Sequence, residues 1–99
     1  MKYQIQEKCL RIFLPEQFDH HFAEEIRRQT EQLIKKHRIK HLIFDFKDTD
    51  FMDCTGVGAI VSSYRMIFLL GGEVRLANLS ERMKEIVTTC GLTKIVPIC

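Results

Sequence analysis

The stretch HLIFDFKDTDFMDCTGVG, His41 to Gly58, decides the fold. His41-Leu42-Ile43-Phe44-Asp45-Phe46 is a short, mostly apolar run rich in β-formers, the pattern of a buried strand. Lys47-Asp48-Thr49-Asp50 interrupts it with charge. From about Gly56 to about Leu70 the chain is apolar around most of a helical circumference (Val57, Ile60, Val61, Ile67, Phe68, Leu69, Leu70), and Gly71-Gly72 supplies a helix stop. Such a helix is either sandwiched or leaves an apolar patch in the open. Strand, acidic loop and helix in this order form half of a strand–helix–strand unit.

The flanking segments complete the pattern. Tyr3 and Ile5, then Leu10, Ile12 and Leu14, alternate with polar residues on either side of Glu7-Lys8, which predicts a hairpin ended by Pro15. Asp19 is positioned to cap a helix running to about Lys36, with Phe22, Ile26, Leu33 and Ile34 on one face and Arg27, Arg28, Glu31 and Lys35 on the other. Glu73–Ala77 alternates as a strand. Ser80 caps a third helix with Met83, Ile86, Val87 and Cys90 inward and Gly91 at its end. Lys94–Ile98 reads as a last strand, placed at an edge or strand end by Pro97. The order β-β-α-β-α-β-α-β predicts an α/β domain with a largely parallel sheet and an antiparallel N-terminal edge. Sites on such sheets lie in the loops after strand C-termini, and Asp45 to Gly56 is one of these loops.

Ninety-nine residues, 45% hydrophobic and 28% charged, fit one globular domain spanning 1–99, without repeats or linkers. A net charge of +2 gives no argument for direct nucleic-acid binding. The basic residues Arg27 to Lys40 and the acidic loop after them read as solvated surface. No secretory leader opens the chain, and no apolar run approaches the roughly 18 residues of a membrane span, so a cytoplasmic location without membrane contact is expected. Cys9, Cys54, Cys90 and Cys99 form no C-x-x-C pair and are expected as reduced thiols, three of them buried or terminal. His20, His21, His37 and His41 add no zinc-site spacing, so neither a metal nor a cofactor is expected.

Thr55 stands just before the glycine that starts the second helix. The plain reading is an N-cap, with its hydroxyl accepting a first-turn amide for about 1 kcal/mol. The functional reading uses the same geometry. A hydroxyl beside unpaired amides and the positive end of a helix dipole is an accessible place for phosphate, which brings roughly −1.5 to −2 charges. Gly56 and Gly58 would let a partner approach closely. Cys54 offers a thiol-enzyme alternative, since helix N-termini favour thiolates. A phosphatase-type loop would need an arginine where Ile60 stands, although His20 or His21 could approach as a base. Asp48-Thr49-Asp50 resembles a phosphotransferase aspartate motif, but Met52 occupies the position of its hydroxyl residue.

Phe18-Asp19-His20-His21, the block Phe51 to Gly58, Gly71-Gly72-Glu73 and Cys90-Gly91-Leu92-Thr93-Lys94-Ile95, at matching spacing from about Ile5 to Ile98, resemble the STAS domain family. The resemblance is strongest to its sporulation-type anti-sigma factor antagonists. It implies a non-enzymatic regulator of sigma-factor-dependent transcription, phosphorylated on Thr55 by an anti-sigma factor serine/threonine kinase that carries the ATP. A metal-dependent, PP2C-type phosphatase would reset it. Asp19 matches the family aspartate lying close to the acceptor. The partner-binding surface it implies is Asp19, Asp53, Cys54, Thr55, Gly56, Val57 and Gly58. A STAS interaction module without phosphorylation, in a signalling or transporter complex, is the alternative within the family. Cys54 and Thr55 stand where close relatives have serines, and Pro15 and Gln17 where they have Gly and Glu. The family usually continues into a further helix after the last strand, where this sequence stops, so an open edge and a monomer or weak dimer are expected.

Overall fold

The structure is a computed structural model describing residues 1–98. Four strands make the main sheet: β1 (Lys2–Gln6), β2 (Cys9–Phe13), β4 (His41–Asp45) and β6 (Glu73–Ala77), in the order β1-β2-β4-β6. β1 and β2 are the antiparallel hairpin, with Glu7 in the left-handed region at φ 58° in its turn. β2–β4 and β4–β6 are parallel, as the strand–helix alternation requires. The family's α/β architecture, a mixed sheet with three helices, is therefore present.

Strand alternation puts two apolar rows across the sheet. Leu10, Leu42 and Val74 are one register row, and Ile12, Phe44 and Leu76 the next. All six are buried under α1 (Ala23–His37) and α2 (Cys54–Leu69), with Ile26, Ile34, Ala59, Ile60 and Ile67 facing them. The opposite sheet face carries the rows Cys9-His41-Glu73 and Arg11-Ile43-Arg75, so the strand at His41 is covered on one side only. Asp45, in the third row, is buried. It accepts from Arg11 Nε at 2.9 Å, from Asn78 Nδ2 at 3.0 Å and from the Lys47 amide at 2.9 Å. Burial raises its carboxyl pKa, and these three donors outweigh that and hold it below the ordinary value.

α3 (Glu81–Thr89) is capped by Ser80, whose hydroxyl accepts from the Met83 amide at 3.1 Å, and ends at Gly91, φ 81°. Among the described residues no helix is long and apolar enough to cross a membrane. The apolar surplus of α2 emerges at its C-terminal end, where Phe68, Leu69 and Leu70 are exposed, Leu69 by 84%.

Five expectations are corrected. Asp19 does not cap α1; its carboxylate accepts from the His21 amide in an Asx turn, its carbonyl accepts from Phe22 and Ala23, and the helix starts only at Ala23. Phe22 therefore lies outside the inner face and is exposed. Thr55 is not the cap of α2; Asp53 is. Cys90 is exposed, because α3 stops one residue earlier, and only Cys9 of the described thiols is half-buried. Cys99 lies outside the described residues. The segment expected as a last strand, Lys94–Ile98, is not one: a 3-10 turn at Leu92–Lys94 runs into it, with the Ile95 and Val96 amides both bonded to the Leu92 carbonyl. Pro97 has no amide to give a ladder, and a single bridge from Ile98 to Leu76 remains.

Candidate functional site

Two further strands, each of two residues, assemble the site. β3 (Gln17–Phe18) pairs in parallel with β5 (Phe51–Met52), matching Phe18 to Met52. Thr49, buried below them, ties the preceding loop down by donating its hydroxyl to the Pro15 carbonyl at 2.8 Å. The pairing sets the turn Asp19–Phe22 beside the start of α2. Two-residue strands carry no periodicity, so the sequence offered no signal for them.

Gly56 makes this approach possible. A Cβ there would lie 2.4 Å from the Phe18 carbonyl oxygen and 2.7 Å from Met52 Cγ. The missing side chain is space used by the chain's own backbone, and Gly56 is buried. Gly58 is exposed, with nothing within 4 Å of its virtual Cβ, so of the two glycines only Gly58 leaves open surface. Cys54 and Thr55 are exposed, Asp19, Asp53 and Val57 partly so.

Asp53 is the organising residue. Its backbone is extended (φ −102°, ψ −174°), and Oδ1 accepts from the amides of Thr55 at 2.9 Å and Gly56 at 3.1 Å. The Thr55 hydroxyl donates to the same oxygen at 2.5 Å. Oδ2 accepts from the His20 amide at 3.2 Å, and His20 Nδ1 lies 3.7 Å away. The Thr55 hydroxyl first, then the amides of Gly56, His20 and Thr55, hold this carboxyl at about 2 despite some desolvation. At neutral pH Asp53 is thus ionised, fixes the side chain of Thr55 and is a poor proton acceptor. The Thr55 hydroxyl is bonded to Asp53, whereas Asp19 engages His21.

Thr55 borders a hollow of about 270 Å³ shared with His20, Ala23, Glu24, Arg27, Gly58 and Ala59. Arg27 is held there by Glu24 and by Glu31 at 2.7 Å, and Ser62 Oγ joins α2 to the same Glu31 at 3.1 Å. The hollow thus presents a hydroxyl, a helix N-terminus and a guanidinium already engaged by carboxylates. His20, which lines the hollow, clusters with Asp19 and His21, the donor atoms of the three all within 4.8 Å of one another. Spacing rules based on Cys and His pairs overlooked this cluster; the tandem Asp-His-His in a turn was its signal.

The STAS domain family model matches residues 1–99. The anti-sigma F factor antagonist of Paenibacillus polymyxa is 30% identical over 88% of this chain and 74% of its own length. The anti-sigma-B factor antagonist of Bacillus subtilis is 40% identical over 52% of this chain and 48% of its own length. Among solved structures, the Bacillus cell fate determinant SpoIIAA in its phosphorylated form superposes with a TM-score of 0.78 at 25% identity, covering 99% of this chain and 89% of that one.

Proposed function

The chain belongs to the STAS domain family, and from that premise we propose that it is an anti-sigma factor antagonist switched by phosphorylation of Thr55. Unmodified, it binds a kinase-type anti-sigma factor and releases the sigma factor; phosphorylated, it lets go, and a PP2C-type phosphatase resets it. The partner supplies the ATP and the catalytic groups, and this chain is a protein substrate in the cytoplasm rather than an enzyme.

The observation carrying this reading is the placement of Thr55: exposed, in the first turn of α2, oriented by Asp53 and bordering an open hollow. Phosphate on that oxygen introduces roughly −1.5 to −2 charges next to an ionised carboxylate. Repulsion from Asp53 turns the phosphate outward, so the change falls on the surface a partner meets while the sheet beneath keeps its packing. Asp19, Cys54, Val57 and Gly58 form the rest of that surface, and Gly56 holds its shape from below.

Incubation with the cognate kinase and ATP, followed by mass spectrometry of wild type and Thr55→Ala, tests the acceptor. A single phosphate on Thr55, absent from the variant, is expected. Phosphate elsewhere, or persisting in Thr55→Ala, would sink the assignment.

A further inference from the structure

We propose that Asp19, His20 and His21 form a surface site for a borderline divalent cation of the zinc(II) class, next to the hollow that His20 and Thr55 line. The donor atoms of all three residues lie within 4.8 Å of one another. Asp19 Oδ1 and His21 Nδ1 are 3.3 Å apart. Two donors bound about 2.1 Å from one tetrahedral ion stand about 3.4 Å apart, so this pair is already at ligand spacing.

The backbone holds the three in place. The Asp19 carboxylate accepts from the His21 amide at 3.0 Å, and its carbonyl accepts from the amides of Phe22 at 3.1 Å and Ala23 at 2.9 Å. The His20 amide is fixed on Asp53 at 3.2 Å. The turn therefore arrives formed, and only the exposed imidazoles, their centroids 4.1 Å apart, need rotate. Two imidazoles and one carboxylate suit zinc, copper, nickel or cobalt and not magnesium or calcium, which prefer all-oxygen shells. Water would fill the remaining position. Asp53, 3.7 Å from His20 Nδ1, places a carboxylate beside the site, while Glu24 on the same hollow is paired with Arg27.

The site stands independently of Thr55 phosphorylation, and its test uses zinc alone. Untagged full chain is titrated with zinc chloride by calorimetry, with magnesium chloride as the comparison. One zinc ion per chain with micromolar affinity is expected, and no magnesium binding. Loss of an outer-shell partner already costs about 10–100-fold in metal affinity, so His20→Ala or His21→Ala should weaken binding by about tenfold or more. His20 and His21 side chains are 66% and 69% exposed, so both variants should melt as wild type without metal. Histidine ring shifts in NMR spectra should move on zinc addition at His20 and His21 and stay fixed at His37 and His41. Absence of binding, an affinity unchanged in His21→Ala, or a loss that instead follows Cys54→Ser would overturn the assignment.

Discussion

Gly56→Ala probes the contact that seats the Asp19 turn on the start of α2. Helix propensity alone favours alanine over glycine by about 1 kcal/mol. Packing opposes it. The new Cβ would sit 2.4 Å from the Phe18 carbonyl oxygen, a backbone atom that cannot rotate away, and 2.7 Å from Met52 Cγ. Restoring van der Waals separation means moving β3 from the helix by several tenths of an ångström or more. That strains the Asp53 amide bond to the Phe18 carbonyl and the His20 amide bond to Asp53. Overpacking of this kind costs about 1–3 kcal/mol, at the upper end when backbone must shift. The net is a loss of about 1–2 kcal/mol, or roughly 4–16 °C in Tm for a domain of this size. Gly58→Ala is the matched control, because its Cβ meets nothing within 4 Å and only the propensity gain applies. Thermal melts of both variants decide the matter: Gly56→Ala should fall below wild type and Gly58→Ala rise above it. Equal Tm values for the two would refute the packing argument.

Further outcomes follow from the buried polar groups and from Asp53. Among the described residues Ser63 Oγ is buried without a partner, so Ser63→Ala should stabilise the fold by about 1 kcal/mol in urea denaturation; a loss of stability would reveal a hidden partner. Asp45→Ala removes the acceptor of Arg11, Asn78 and the Lys47 amide and should cost about 1–3 kcal/mol, whereas a neutral result would mean that water replaces those bonds freely. The folded carboxyl of Asp53 titrates at about 2 against 3.8 ordinarily, so its stabilisation is complete above about pH 4 and lost as pH falls through 3.8 towards 2. Urea midpoints between pH 2 and 6 should fall less steeply on acidification in Asp53→Asn, Asp45 supplying part of what remains; identical slopes would show that Asp53 is not the titrating group.

Most of the scaffold was legible because its signals are periodic. Leu10 and Ile12, Leu42 and Phe44, and Val74 and Leu76 alternate in sequence and are the register rows of the core. Ser80 and Gly91 mark the ends of α3 by residue chemistry, and both act as read. What escaped is set by non-local contacts. Asp53 and Thr55 are both good capping residues two positions apart, and the docking of His20 on Asp53 accompanies the choice between them. β3 and β5 exist because they pair with each other. Gly56 reads in the sequence as an opening for a partner, whereas the Phe18 carbonyl fills that space. The Asx turn at Asp19 looked like a cap because the same side chain serves both, and the turn delays α1 to Ala23.

The central claim, that charge on Thr55 controls partner binding, is tested most directly by calorimetry of the chain, unmodified and phosphorylated on Thr55, against its cognate anti-sigma factor. Phosphorylation should weaken binding by about tenfold or more, at least about 1.4 kcal/mol, with an unchanged circular dichroism spectrum. Equal affinity of the two forms would contradict the switch and leave a STAS module that binds regardless of Thr55.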